Sequence, residues 1–283
     1  MIKETGEMYN MKAGKYTLDF EQQTYVMGIL NATPDSFSDG GQFNEHDTAV
    51  HHAVQMVKDG AHIIDIGGES TRPGYTPVST EDEINRVQPI IEAIDRSVDV
   101  PISIDTFKAK TAEKAVEAGA SILNDIWGAK KDPDMAAVAA EKEVPIILMH
   151  NREQMNYGDF MRDCLQDLYE SITIAKKAGV PDEHIILDPG IGFAKTMEQN
   201  MEMMQNLDRV AALGFPVLLG TSRKRMIDYV LNVPVEERME GTGATCCFGI
   251  QKGCHIVRVH DVLPIARMMK MMDALVGKGH HNG

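Results

Sequence analysis

Three residues able to accept hydrogen bonds, Asp105, Asn124 and Asp188, each stand at the end of a short apolar run. Carboxylates beside a carboxamide suit a ring with several N–H edges, such as a pterin or purine. A buried acid is costly until a donor pairs with it, and such a ring supplies donors. A second set is cationic or hydroxylic: Arg72, Ser222, Lys224, Arg258 and His260. Arginine offers a bidentate fork for phosphate oxygens and lysine a compact charge, so this set suits a phosphate-bearing ligand. Two loops are rich in glycine, proline and small hydroxyls. They are Asn31-Ala32-Thr33-Pro34-Asp35-Ser36-Phe37-Ser38-Asp39-Gly40-Gly41 and Gly67-Gly68-Glu69-Ser70-Thr71-Arg72-Pro73-Gly74. They read either as ordinary surface turns or as mobile lids that donate groups to a substrate.

These residues need elements to bring them together. Apolar, β-branched runs recur at Tyr25–Leu30, His62–Ile66, Pro101–Ile104, Ser121–Leu123, Pro145–Met149, His184–Leu187, Pro216–Leu219 and His255–Val259. Continuous rather than alternating apolarity marks strands buried on both faces, as in parallel sheets. Helical stripes lie between them. Val50, Ala53, Val54 and Val57 follow Asp47 as N-cap and stop at Gly60. Ile84, Val87, Ile91 and Ile94 follow a capping-box spacing at Thr80 and Glu83. Further stripes run from Met161 to Ala175, from Met201 to Ala211 and from Ile265 to Met272, closed in the first two cases by Gly179 and Gly214. Eight strand–helix repeats within 283 residues predict a single-domain (β/α)8 TIM barrel, which typically needs ~250 residues. The segment Lys15–Phe20 reads as an extra strand or hairpin plugging the barrel bottom. It belongs to an N-terminal extension, residues 1–20, and residues 277–283 read as a disordered tail.

In such a barrel the chemistry sits just after each strand. Asn31, Gly67 and Gly68, Asp105, Asn124 and Asp125, His150 and Asn151, Asp188, Ser222 and Lys224, and His260 and Asp261 follow the eight runs in order, with Arg258 two residues before His260. One such residue would be only a helix cap; eight of eight describe a shared rim.

Composition narrows the function. The net charge of −14 disfavours nucleic acid and anionic membranes as partners and makes a local basic focus necessary for any anionic substrate. No apolar run approaches the ~18 residues that span a bilayer, and the first residues lack a signal-peptide core, so the expected location is cytoplasmic. The four cysteines form no C-x-x-C pair and suit a reducing compartment.

The motifs resemble those of the dihydropteroate synthases. The stretch Gly28–Asn31 with Thr33–Gly41 is similar to the family's first signature, and Ile64–Gly74 to its second. Ile104–Thr106, Asn124-Asp125, Asp188–Phe193, Ser222–Lys224 and Arg258–Val262 match the rest in order. Ala32 and Arg225 depart from the usual residues, and Arg225 bears on the outer aminobenzoate site. The resemblance implies condensation of 6-hydroxymethyl-7,8-dihydropterin pyrophosphate with p-aminobenzoate, giving 7,8-dihydropteroate and pyrophosphate. It implies that Asp105, Asn124 and Asp188 hold the pterin, with Lys224 at its carbonyl or ring nitrogen and Met149, Ile126 and Phe193 as walls. Arg258 and His260, joined by Thr71 and Arg72, fall at the pyrophosphate, and Val259 and Ser222 are carried over as substrate-binding residues. Phe37 and Pro73 would contact the aminobenzoate, and Asp39 and Arg72 would pair across the two loops. Asn31 matches the family's Mg2+ position. The resemblance also implies a homodimer, for which the glycine-rich helix near Glu236–Gly253 is the interface candidate unless its small residues serve packing on the barrel. Competing readings are a pterin-binding methyltransferase barrel, a non-catalytic folate-binding protein and a metal-dependent phosphate-ester barrel.

Overall fold

The computed structural model describes residues 10–32, 41–69 and 77–279, of which 41–45 by backbone alone. A hairpin, β1 (Asn10–Ala13) and β2 (Tyr16–Asp19), opens the described chain. Its turn uses Gly14 at φ 59°, a left-handed conformation that glycine adopts without strain. Eight strands follow: β3 (Tyr25–Asn31), β4 (Ile63–Gly67), β5 (Ile102–Asp105), β6 (Ile122–Asp125), β7 (Ile146–Met149), β8 (Ile185–Asp188), β9 (Leu218–Leu219) and β10 (Ile256–Val259). All pair in parallel, in the order β8-β7-β6-β5-β4-β3-β10-β9. A parallel bridge between Leu187 and Val217 joins the two ends, and the Leu187 N–H donates to the Pro216 carbonyl at 2.9 Å. The sheet closes into the expected TIM barrel.

Two separate apolar cores follow from the period-2 alternation of the strands. Ile64, Ile66, Ile102, Ile104, Ile146 and Leu148 pack outward against the helices. Tyr25, Met27, Ile63, Ile122, Ile147, Ile186, Leu218 and Ile256 point inward and meet Met11, Ala13, Leu18 and Phe20 of the hairpin. Phe20 stacks edge-on against Tyr25 and His255, with centroids 5.4 and 5.6 Å away. The hairpin therefore plugs the amino end of the barrel, and a fully buried Phe20 contributes roughly 2–3 kcal/mol of burial energy.

The helices depart from the sequence expectations at their ends. Helix α1 spans Gly41–Lys58, so Asp47 is an exposed internal residue and not the N-cap. Helix α2 (Thr80–Asp95) is capped by Ser79, whose hydroxyl accepts from the Asp82 N–H at 3.1 Å. Glu83 is drawn instead to Lys108, 2.9 Å away, which outcompetes a capping box. The stripe from Met201 to Ala211 is split into α6 (Met197–Gln205) and α7 (Leu207–Ala211) at Asn206, whose backbone leaves the helical region (φ −111°, ψ 22°) and whose side-chain amide donates to the Glu202 carbonyl at 2.8 Å. Three helices were not predicted, because two bury mainly small residues and the third is too short for a periodic stripe. They are α3 (Ala109–Ala118) and α4 (Met135–Glu141), which bury mainly alanines, and α8 (Arg225–Leu231). The long α5 (Phe160–Ala178) ends at Gly179 as expected.

Helix α9 (Met239–Gln251) uses its small residues within the chain. A Cβ on Gly241, Gly243 or Gly249 would meet Ile227, Met268 or Leu219 at 2.3–2.4 Å. These glycines therefore seat one face of α9 against α8, β9 and α10 (Val262–Val276), so small residues of this helix serve packing on the barrel. Gly277 caps α10, and the Lys278 N–H donates to the Asp273 carbonyl at 2.8 Å, so the first residues of the expected tail are anchored. All four cysteines are free, and all but Cys247 are buried.

Candidate active site

At the carboxyl end of the barrel the inward positions turn polar. Asp65 on β4, Asp105 on β5, Asn124 on β6, Asp188 on β8 and Arg258 on β10 stand two residues beyond inward positions of the same strands. Arg258 donates from Nε to Asp65 Oδ2 and from Nη2 to Asp105 Oδ2, both at 2.6 Å. The Asn124 amide reaches Asp65 at 3.3 Å. Asp188 Oδ1 accepts the Gly190 N–H at 2.7 Å. Lys224 precedes α8, donates to the Ile191 carbonyl, and holds its ammonium 4.8 Å from the centre of the Phe193 ring.

Together Asp105, Asn124, Ile126, Met149, Asp188, Phe193, Gly220, Lys224 and Arg258 line one cleft. Eight of these nine are residues singled out from the sequence. Gly220 keeps the floor open: a Cβ there would stand 4.0 Å from both Asp188 Oδ2 and the Lys224 ammonium.

The electrostatics are those of groups awaiting a ligand. Burial pushes Asp105 up to about 7, with Arg258 opposing and Asp65 reinforcing the shift. Asp188 is also raised by burial, against the pull of Lys224 and the Gly190 N–H. Burial lowers Lys224 to about 8, although Asp188 favours its charged form. Burial works against the charge on Arg258 too, but the carboxylates of Asp65 and Asp105 outweigh it. Most tellingly, Asp105 Oδ1 is buried and has no hydrogen-bond partner among the described residues. A buried acceptor without a donor costs about 1–3 kcal/mol, which a ligand N–H would recover.

The remaining sequence candidates fall elsewhere. The Ser222 hydroxyl and His260 Nδ1 are 2.9 Å apart, and Ser222 Oγ accepts the His260 N–H at 3.1 Å, tying the loops after β9 and β10 at the rim. Arg223 and Asp261 join the same loops at 2.6 Å. Asn31 is exposed at the end of β3. Val259 is completely buried in the outer core, so its side chain faces the helices and not the cleft. Phe37, Asp39, Thr71, Arg72 and Pro73 lie outside the described residues.

Sequence reasoning passed over Asp65, which is wholly buried and central to the arginine pair. It looked after each strand, and Asp65 lies inside one. The available signal was a lone charge in the run His62–Ile66, since a charge buried on a two-sided strand demands a partner.

Known proteins are similar to this chain in sequence and in fold. The model of the pterin binding enzyme family matches residues 27–260. The dihydropteroate synthase of Bacillus subtilis (strain 168) is 62% identical over 266 residues, 93% of each chain. That of Clostridium beijerinckii is 61% identical over 267 residues, covering 94% of this chain and 99% of the relative. The solved structure of the Clostridium difficile dihydropteroate synthase in the presence of pteroic acid matches with a TM-score of 0.89 at 48% identity, over 91% of this chain and 98% of that one. The Xanthomonas albilineans enzyme with 4-aminobenzoic acid matches at 0.90 and 37% identity, over 95% and 98%. With barrel, motifs and near full-length identity in agreement, the chain belongs to the dihydropteroate synthase family of pterin-binding enzymes.

Proposed function

We propose that this chain condenses 6-hydroxymethyl-7,8-dihydropterin pyrophosphate with p-aminobenzoate to give 7,8-dihydropteroate and pyrophosphate. The observation that carries the reading is the cleft in which two buried acids, an amide and two cations converge around the unpartnered Asp105 Oδ1. An aminopyrimidinone edge supplies the donors that Asp105 and Asp188 require, and Asn124 can both donate and accept. Met149, Ile126 and Phe193 make the apolar walls.

In this reading the bond between the pterin methylene and the pyrophosphate oxygen breaks first, its electron pair leaving with pyrophosphate. Asp105 and Asp188 stabilise the positive charge left on the pterin, fixed in place before the reaction begins. Lys224 anchors the ring oxygen or nitrogen, and Arg258 and His260, with Ser222, Thr71 and Arg72, hold the leaving group. The aminobenzoate nitrogen, contacted by Phe37 and Pro73, then forms the C–N bond and releases a proton. Pairing of Asp39 with Arg72 closes the two loops and excludes water, which lets a weak aniline nucleophile compete.

Asn31 would hold the Mg2+. Its neutral carboxamide at the rim suits an ion that keeps most of its waters and takes few protein ligands, and no cluster of three acidic, histidine or cysteine residues offers a cage among the described residues. When bound, the ion adds positive charge at the pyrophosphate.

A homodimer and a cytoplasmic location complete the proposal. Exposed Tyr229, Val230 and Leu231 on α8, Phe248 on α9, and Met271 and Leu275 on α10 give adjacent helices an apolar face that a second copy would cover. No described helix is long and apolar enough to cross a membrane.

The test is pyrophosphate release by purified protein given dihydropterin pyrophosphate and Mg2+, with and without p-aminobenzoate. Release that requires aminobenzoate and yields dihydropteroate supports the reading. Tight pterin binding without release would replace it with a methyl-transfer or non-catalytic role.

A further inference from the structure

Behind the cleft lies a buried polar chain that the reaction above does not use. Lys195 and His150 are 5% and 1% exposed. The Lys195 ammonium lies 2.7 Å from His150 Nδ1, 2.9 Å from the Gly190 carbonyl and 3.1 Å from the Phe193 carbonyl. An ammonium has three protons, and here three acceptors surround it. On the far side, His150 Nε2 stands 3.0 Å from Asp167 Oδ2, which Arg152 Nε also reaches at 2.5 Å. This arrangement requires a neutral imidazole that donates from Nε2 to Asp167 and accepts at Nδ1 from Lys195. Burial, which holds His150 down at about 4, agrees with that state.

Both carbonyls bound by Lys195 belong to the turn that follows Asp188. The same turn donates the Gly190 N–H to Asp188 Oδ1, offers the Ile191 carbonyl to Lys224, and carries the Phe193 ring beside the Lys224 ammonium. Gly190 has φ 66°, and a Cβ there would come within 1.9 Å of the His150 carbonyl oxygen. The turn is therefore pressed against the end of β7, and Lys195 is the side chain that joins the two.

We propose that Lys195 is a positioning residue for the pterin site: by tying the Gly190–Phe193 turn to His150 and Asp167, it sets the placement of Asp188, Lys224 and Phe193. The inference rests on the pterin reading of the cleft.

The arrangement implies a pH dependence. Burial pushes the Lys195 ammonium down to about 7. The groups that face it are Cys164 and Asp167 from α5, Asp188 from β8, His150 after β7 and Lys224 ahead of α8. Loss of a proton leaves two donors for three acceptors, so the turn loosens as pH rises through that region.

The experiment measures equilibrium binding of 6-hydroxymethylpterin by calorimetry from pH 6 to 8.5, alongside kcat and KM, for the wild type, Lys195→Met and His150→Gln. Lys195→Met is expected to weaken pterin binding about tenfold at pH 6.5, the size of effect typical of residues that orient ligands from behind. KM for the pterin substrate should rise in parallel, kcat should change less than about threefold, and the pH slope of binding should change, leaving only the part that Asp105 and Lys224 contribute from inside the cleft. His150→Gln keeps an acceptor for Lys195 and should lose only about threefold, a graded result that holds even should Lys195→Met not fold. Wild-type affinity and an unchanged pH slope in a folded Lys195→Met, or in its absence in His150→Gln, would overturn the inference alone. No pterin binding by the wild type would overturn the pterin reading, and the inference with it.

Discussion

Two levels of the same barrel interior differ completely in chemistry. At the lower level stand Ile63, Ile122, Ile147, Ile186, Leu218 and Ile256, sealed by the hairpin residues Met11, Leu18 and Phe20. Two residues on, at the upper level, the same strands and the turn after β9 carry Asp65, Asn124, Met149, Asp188, Gly220 and Arg258. The separation is about 6.6 Å along each strand. The lower level gains from expelling water. The upper level holds charges that only one another, or a ligand, can satisfy. Stability and function are thus stacked in layers on one scaffold, each acid held by strands whose lower ends are locked.

The comparison breaks most sharply if the upper level is neutralised. Asp105→Asn and Asp188→Asn should each lower turnover on the order of 100-fold or more in a protein that still folds cooperatively. Near-normal steady-state rates in both would sink the assignment. Arg258→Met attacks the level as a charge system instead. It leaves the carboxylates of Asp65 and Asp105 buried together, at a cost of about 3–5 kcal/mol in denaturant unfolding. An unchanged midpoint would show that the pair contributes nothing.

The reverse substitution probes the lower level. Ile186→Ala should cost about 2–4 kcal/mol by opening a cavity, with kcat/KM of the folded fraction within about twofold of wild type. A large catalytic loss would show that the layers are not separable. Solution pH sharpens the contrast further. The folded value of about 7 for Asp105 stands above its ordinary 3.8. Its protonated form therefore stabilises the ligand-free fold below pH 4, and that contribution is lost as pH rises through 7. Ligand-free stability should therefore fall from this group as pH rises from 4 to 8, and Asp105→Asn should show a flatter profile in thermal melts. The smallest effect belongs outside both layers. Ser79→Ala removes the cap of α2 and should cost about 1 kcal/mol by urea titration without touching kcat.

Strand positions were legible in the sequence to within a residue or two, because strands buried on both faces are apolar throughout. The cleft residues Asp105, Asn124, Ile126, Met149, Asp188, Phe193, Lys224 and Arg258 were legible because they fall in or beside motifs at strand ends. Asp65 was not, although its lone charge in the run Ile63–Ile66 marked it, because its partner Arg258 lies 193 residues away. Lys195 was not, since it follows a glycine-rich motif and its side-chain partner His150 lies 45 residues away in sequence. Val259 was carried into the site by its neighbours Arg258 and His260, and the period-2 geometry of a strand turns its side chain to the opposite face.

By itself the sequence determined the number of strands, their parallel order of alternation with helices, and the chemical types delivered to the barrel rim. Local patterning and chain length set those. Only the tertiary structure decided that Arg258 grips Asp65 and Asp105, residues 193 and 153 positions away, and that Asp105 Oδ1 is left waiting for a donor. Barrel closure is a long-range event: it decides which of two apolar strand faces turns inward and which buried charges meet, and no local spacing encodes either.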